Sequence, residues 1–119
     1  MSGDRRPRRY DVIPGDEVLD DVAALGAYGP EVVAAAASII DDLAHGRVSG
    51  KDLGLRHVSG DLTGLARVKF DVPGRRPPRF RLVYRQIDDS TREVLAMGPR
   101  DERAIYRTAV RRLAGGECS

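Results

Sequence analysis

Basic side chains recur inside short apolar runs in the second half of the chain. Arg67 and Lys69 alternate with apolar residues, Arg81 lies within the next apolar run, and Arg100 and Tyr106 follow later. A charged side chain on an apolar strand must stay solvated or paired, because burying an unpaired charge is costly. Several arginines that converge on one sheet face would therefore form a site for a polyanion.

Charge is unevenly distributed along a chain whose net charge is only +2. Residues 1–64 contain seven Lys or Arg against eleven Asp or Glu, whereas residues 65–113 contain thirteen against six. A basic half is typical of a surface that binds nucleic acid through counterion release from phosphates. Arginine used only for solubility would give the same composition, so the positions of the charges must decide between the two interpretations.

Other groups that could do chemistry are few. His45 lies in the last turn of a predicted helix and His57 in a glycine-rich segment, so both fall outside the basic runs and an acid–base histidine pair is the less favoured interpretation. Cys118, the single cysteine, follows two glycines near the end and is predicted to be inert. The sequence shows no cluster with metal-ligand spacing, and we expect neither a metal nor a cofactor.

The composition fits one globular domain. At 119 residues, 41% apolar and 32% charged, the chain is long enough to bury a single core. No apolar run approaches the roughly 20 residues that span a bilayer, and the basic start contains no apolar secretory segment, so we expect a cytoplasmic protein with no membrane role. We predict a basic disordered tail at 1–8, a folded domain at 9–114 and a flexible tail at 115–119.

The first half of the domain reads as one strand followed by two helices. A short strand over 9–13 stops at Pro14, and Asp16 can cap a helix that ends at Gly26. Pro30 begins a second helix, which stops at Gly46, so the two helices form an antiparallel hairpin. The apolar faces are predicted from helical spacing to contain Val18, Leu19, Val22 and Leu25, and then Val32, Val33, Ala36, Ile39, Ile40 and Leu43.

The second half reads as three strands and a final helix. Residues 47–64 contain four glycines and little periodicity, and we predict a connector there without an element of its own. Alternation then predicts strands over 65–72, 80–87 and 92–97, which form an antiparallel meander, followed by a helix capped near Asp101 that ends at Gly115. The order β-α-α-β-β-β-α predicts an α+β domain, with a small, mostly antiparallel twisted sheet, helices packed on one face and the other face open.

These residues resemble a known family, the RelE-type toxins of the RelE/ParE superfamily of bacterial toxin–antitoxin systems. The resemblance covers residues 10–113, is strongest from Leu65 onward, and includes the predicted element order. It implies a ribosome-dependent messenger-RNA endonuclease that acts in the ribosomal A site, with a cognate antitoxin, the ribosome and mRNA as partners. The motifs that carry it are Arg67-Val68-Lys69-Phe70, Phe80-Arg81-Leu82-Val83-Tyr84, and Gly98-Pro99-Arg100 with Tyr106 six positions on.

The resemblance implies that Lys69, Arg81, Arg100 and Tyr106 are catalytic and that Arg67 binds RNA. Cleavage of RNA by its own 2′-hydroxyl needs in-line attack, stabilisation of extra charge on the phosphate, and a proton for the leaving 5′-oxygen. Planar arginine forks suit the second task, so Arg81 and Arg100 are its candidates. Lys69 is the candidate general acid, because neighbouring cations favour release of its proton, and Tyr106 would orient or stack on a nucleotide.

Two features leave alternatives open. Arg67 occupies a place where the best-known RelE members have lysine, which keeps the charge but removes a proton-transfer role. The basic hairpin loop is longer than in typical members, and it is either an RNA-binding loop or a solvated tip. Further RNA-binding candidates are Arg75, Arg76, Arg79 and Arg85.

The resemblance also leaves other functions open. ParE-type members of the superfamily inhibit DNA gyrase and lack the catalytic basic set, so a gyrase inhibitor is the main alternative. A catalytically silent RNA-binding regulator on the same fold is another. Each single basic residue could also belong to the solvated face of a half-exposed strand, and the joint occurrence of five matching positions favours the endonuclease.

Overall fold

The computed structural model describes residues 9–56 and 60–117, and the side chains of 9–50, 64–101 and 104–113. The predicted tail at 1–8, His57 and Cys118 lie outside the described residues. Tyr28 ends a single 3₁₀ turn that joins the first two helices. The elements are β1 (Asp11–Pro14), α1 (Val18–Leu25), α2 (Pro30–Ala44), β2 (Lys51–Arg56), β3 (Gly60–Phe70), β4 (Phe80–Asp88), β5 (Thr91–Pro99) and α3 (Glu102–Glu117).

The strands form one mixed sheet in the order β1-β5-β4-β3-β2. Neighbouring strands from β2 to β5 pair antiparallel, and β1 pairs parallel with β5. The predicted α+β class and the mostly antiparallel sheet are therefore confirmed. Because β1 joins the far edge of the sheet, α1 and α2 must cross one sheet face before the chain enters the meander.

Residues 47–64 differ from the predicted connector. They contain β2 and the start of β3, paired from Lys51 opposite Arg67 to Arg56 opposite Gly60. Glycines and a register shift between Asp52 and Gly54 hide the alternation in the sequence, and the pairing partner supplies the hydrogen bonds that local sequence does not reveal. The described part of the sheet thus has one strand more than the predicted order.

The helix hairpin covers one face of the sheet and builds the main core. Pro30 begins α2 as predicted, and Gly29 precedes it with a φ of +122°, a conformation that L side chains rarely adopt. Leu19 was predicted on the apolar face of α1, but it is 72% exposed, because one buried stripe through Val18 and Leu25 suffices for so short a helix. The buried cluster comprises Val18, Leu25, Val32, Ala36, Ile39, Leu43, Val68, Phe70, Phe80, Leu82, Tyr84, Val94 and Met97.

The C-terminal helix α3 packs on the opposite face. Leu82 belongs to the main core, whereas its neighbour Val83 belongs to a second cluster with Ile105 and Ala109 of α3, and successive strand residues point to opposite faces. We predicted this face to be open, and α3 covers part of it while Lys69 stays exposed. The apolar residues of the second cluster give α3 a surface to bury its own stripe.

Both ends of α3 are fixed by specific contacts. The Asp101 carboxylate accepts a hydrogen bond from the backbone N–H of Ala104 at 3.3 Å, as expected of the predicted cap. Near the other end, Arg112 donates to both carboxylate oxygens of Asp21 in α1, at 2.7 and 2.9 Å, and to the carbonyl of Leu95. Among the described residues, no helix has both the length and the apolar character needed to cross a bilayer.

Candidate functional site

Two of the predicted catalytic residues lie side by side on the α3 face of the sheet. Lys69 of β3 is directly opposite Arg81 of β4, and Arg81 is directly opposite Gly98 of β5. Residues opposite each other in such pairs have Cβ atoms about 4.5–5.5 Å apart. Lys69 is exposed, whereas Arg81 is 5% exposed, so the row presents an exposed ammonium beside a buried guanidinium.

The buried guanidinium of Arg81 contacts the loop that joins β3 to β4. Its Nη1 donates to the carbonyl of Pro78 at 3.1 Å and to the carbonyl of Phe80 at 3.0 Å. Hydrogen bonds from a charged group to backbone carbonyls fix the geometry of both partners. Arg81 therefore fixes the loop beside Lys69. Its positive charge also lies at this end of the row formed by Lys69, Arg81 and Gly98.

Arg67 and Tyr106 meet further along the same face. Arg67 lies two residues before Lys69 on β3, so both side chains leave the strand on one side. The Nη1 of Arg67 donates to the Tyr106 hydroxyl at 3.3 Å, and Tyr106 is 2% exposed within the second cluster. The structure thus brings these two predicted residues together, but beneath α3 rather than on the open surface.

Arg100 lies at the end of the row, immediately after β5. Its backbone N–H donates to the carbonyl of Arg79 at 2.7 Å, which continues the strand pairing by one residue, and its side chain is exposed. Since Gly98 is opposite Arg81, alternation places Arg100 on the same face, one step beyond that pair. Three of the four predicted catalytic residues therefore converge on one end of the sheet.

The exposed loop arginines Arg75 and Arg76 line two cavities near this end of the sheet. Both line a cavity of about 350 Å³ that Arg100 also lines. They also line a cavity of about 610 Å³ that includes Lys69, but this cavity lies against α2 and contains the carboxylates of Glu31 and Asp42 as well. Within the described part of the chain, no carboxylate pairs with Arg75, Arg76 or Arg100. The result is a basic strip of four exposed side chains, Lys69, Arg75, Arg76 and Arg100, defined here as the basic strip.

The two other RNA-binding candidates are compensated by carboxylates. Arg79 binds Asp71 through two hydrogen bonds of 2.9 Å, and its guanidinium lies 4.9 Å from the ring centroid of Phe80. Arg85 binds Glu93 at 2.6 Å across the β4–β5 pair. Their charges are therefore largely neutralised where they stand, which separates them from the loop arginines.

The Asp71–Arg79 pair predicts a specific dependence of stability on pH. The hydrogen bond from the Arg79 side chain, aided by the backbone N–H groups of Arg79 and Val72, lowers the pKa of Asp71 from 3.8 to about 2, against the opposing effect of burial. A lowered folded-state pKa stabilises the protein above the unfolded value, and this stabilisation, on the order of 1–2 kcal/mol, is lost as the pH falls from about 4 to about 2.

Urea unfolding of the wild type and of Asp71→Asn across this pH window tests the pair. We expect the free-energy difference between the two proteins to shrink as the pH falls from about 4 to about 2. If the difference in unfolding free energy stays constant over this pH range, the hydrogen bonds to the Asp71 carboxylate do not stabilise the folded protein.

The sequence did not single out Tyr28, although the structure places it beside the basic strip. Tyr28 lines the smaller cavity and is 48% exposed. Its position in a turn between two glycines gave no functional signal.

His45 caps the end of α2, where its Nδ1 lies 3.0 Å from the carbonyl of Asp41, and it is not part of the basic strip. In the described ranges, no three His, Cys, Asp or Glu side chains cluster as a metal site would require.

Comparison with known proteins adds one result to this geometry. A scan against protein-family models and a search of curated protein sequences each give no match. Among solved structures, the chain is similar to E. coli toxin RelE, in a form with two arginines replaced by alanine and in the free state. The TM-score is 0.60 at 20% sequence identity, over 88% of this chain and 98% of that chain. The chain therefore has the fold of a RelE-type toxin.

Proposed function

We propose that this protein is the toxin of a type II toxin–antitoxin system and a metal-independent endoribonuclease that cleaves messenger RNA in the ribosomal A site. One observation carries the proposal: Lys69 and Arg81 lie opposite each other at the end of the sheet where Arg100 follows β5. A cluster of cations on a rigid sheet suits a phosphodiester whose negative charge grows during reaction. The similarity to the E. coli toxin RelE supports the same assignment.

The proposed reaction is transfer of the phosphoryl group to the neighbouring 2′-oxygen. The 2′-hydroxyl loses its proton to a water molecule as its oxygen attacks phosphorus in line, the bond to the 5′-oxygen breaks, and the products are a 2′,3′-cyclic phosphate and a free 5′-hydroxyl. Lys69 gives its proton to the leaving 5′-oxygen, since it is the exposed ammonium of the row. Arg100 binds the non-bridging oxygens, which carry more charge in the transition state than in the bound RNA.

The buried members of the site act close to the reacting groups. Arg81 adds positive charge directly beside Lys69 and holds the loop carbonyls of Pro78 and Phe80, so it keeps the loop in register with the row. Tyr106 is 2% exposed and accepts a hydrogen bond from Arg67, so its proposed role is to hold Arg67 in place beside Lys69 rather than to contact the nucleotide. Both roles depend on preorganisation, because a small misplacement of reacting groups costs much of the rate.

The ribosome supplies what the chain lacks. Asp71, two residues after Lys69, is bound by Arg79 and is not assigned the role of general base. Attack by the 2′-hydroxyl therefore depends on a messenger bent into in-line geometry, and the decoding site can impose that bend. A toxin of this kind acts in the cytoplasm and is restrained by a cognate antitoxin that binds the folded domain. The similarity in fold to a toxin supports the antitoxin as a partner, and the proposed chemistry supports the ribosome.

Growth of an expression host tests the proposal. We expect wild-type protein to arrest growth and both Arg81→Ala and Arg100→Ala to relieve the arrest, because each removes charge from the phosphate site. Arg111→Ala is the matched control, since Arg111 is an exposed α3 arginine that lines a different cavity. Unchanged arrest by both site variants, with soluble and folded protein in each case, would contradict the proposal.

A further inference from the structure

The smaller cavity combines an aromatic ring with arginines. Tyr28 lines it together with Arg75, Arg76, Arg79 and Arg100, and it has a volume of about 350 Å³. Ligand pockets in proteins begin at about 300 Å³, so the cleft can hold a group of roughly nucleotide size. Asp101 also lines it, but its carboxylate caps α3. The cleft is therefore basic.

The ring of Tyr28 is held in a defined orientation. It meets Phe80 edge-on, with ring centroids 5.1 Å apart and an interplanar angle of 77°, and the Arg79 guanidinium lies 6.0 Å from its centroid. The ion pair with Asp71 in turn fixes Arg79. Tyr28 nevertheless remains 48% exposed, whereas Phe70, Phe80, Tyr84 and Tyr106 are buried. An oriented and exposed ring beside unpaired arginines is the combination that binds unpaired bases and their phosphates.

We infer that this cleft is a nucleotide subsite for single-stranded RNA, with one base stacked on Tyr28 and the adjoining phosphates bound by Arg75, Arg76 and Arg100. Its location deepens the proposed function, on which it rests: Arg100 lines this cleft and lies two residues after Gly98, the partner of Arg81, so an RNA strand bound at the row can continue to Tyr28. Arg79 supports the ring rather than the phosphates, because Asp71 already binds it.

Single-stranded RNA fits the cleft better than a duplex does. In a duplex both faces of each base are stacked, so only an unpaired base can lie on a tyrosine ring. Tyrosine and arginine are also common at protein interfaces, and an acidic peptide is therefore the competing occupant. Exposed guanidiniums that line the same cleft as an aromatic ring favour the nucleic acid, which offers both a ring and phosphates within one nucleotide.

Binding of a fluorescent, 2′-O-methylated oligoribonucleotide to the purified protein tests this subsite without the ribosome. The blocked 2′-oxygen prevents cleavage, so the measurement reports binding alone. We expect Tyr28→Ala to weaken binding about fivefold or more, and Tyr28→Phe to stay within about twofold of wild type, because stacking needs the ring and not the hydroxyl. The matched control is Leu19→Ala, which removes another exposed apolar side chain that lines neither of the two cavities.

The loop arginines have their own signature in the same assay. Arg75→Gln with Arg76→Gln is expected to reduce the slope of log affinity against log salt by about 0.7 for each arginine removed. Equal affinity of Tyr28→Ala and wild type, in folded protein, would overturn the stacked-base subsite, as would tighter Tyr28-dependent binding of a polyglutamate peptide or of the RNA duplex. If Arg100→Ala relieves growth arrest in that case, the endonuclease proposal still stands without the subsite. If binding depends on Tyr28 but neither Arg81→Ala nor Arg100→Ala relieves the arrest, only the endonuclease proposal is overturned.

Discussion

Replacing Lys69 with glutamine is expected to slow messenger cleavage by at least about 100-fold in a purified translation reaction. A positioned general acid contributes about 100- to 10,000-fold, and glutamine can hydrogen-bond to the leaving oxygen but cannot protonate it. Lys69 is exposed, so the change should leave the fold intact. The measurement is the rate at which stalled ribosomes yield shortened messenger at saturating toxin.

Two comparisons make this result specific to proton transfer. Lys69→Arg keeps the charge but holds its proton much more tightly, so it should remain strongly impaired. Arg111→Gln removes one positive charge from an exposed position on α3 and should leave the rate within about twofold of wild type. Full activity in Lys69→Gln would show that another group protonates the leaving oxygen.

Replacing Arg92 with methionine is expected to destabilise the fold by about 3 kcal/mol. Arg92 is 3% exposed, and its Nη1 donates to the carbonyls of Leu43 and Val48 at 3.0 and 3.1 Å. Its guanidinium lies 3.8 Å from the ring centroid of Tyr10 and 5.1 Å from that of Tyr84. Methionine fills similar space but removes this donor from both carbonyls and the cation from both rings. The Leu43 carbonyl keeps the backbone N–H of Gly46, whereas the Val48 carbonyl loses the guanidinium, and an unsatisfied buried polar group costs about 1–3 kcal/mol.

Urea unfolding of Arg92→Met measures this loss. The control is Arg85→Met, which breaks a partly exposed ion pair between Arg85 of β4 and Glu93 of β5. It should lower the free energy of unfolding by less than about 1 kcal/mol. Equal destabilisation by both substitutions would show that the carbonyl contacts of Arg92 contribute no more than a surface pair. Such a loss of about 3 kcal/mol matters because a domain of this size has a total stability of about 5–15 kcal/mol.

Local patterns were enough to predict the elements that carry the site. Pro30 and the helical spacing after it located α2, and alternation around Lys69 and Arg81 located β3 and β4. Strand alternation also implied that the basic side chains share a face. These signals are local, since proline geometry and a period of two act within a few residues.

The remaining features depend on contacts between distant residues. Nothing local distinguishes Arg79 from Arg75, yet the hairpin brings Asp71 to Arg79 and leaves Arg75 exposed. The sequence predicted the final helix but placed all helices on one sheet face, whereas Ile105 and Ala109 of α3 pack on the opposite face. β2 was missed because its hydrogen bonds come from pairing with β3, and Gly50, whose added Cβ would lie 2.6 Å from the Arg67 carbonyl oxygen, gave only a loop signal.

Mapping the 5′ ends of transcripts shortly after induction tests the central claim most directly, because it reports the chemistry inside a translating cell. We expect new 5′-hydroxyl ends within coding regions, positioned relative to the reading frame, in cells with wild-type protein, and no such ends in cells with Lys69→Gln. Arrested cells with intact messengers and broken DNA would contradict it, and would assign this basic surface to a gyrase-directed toxin instead.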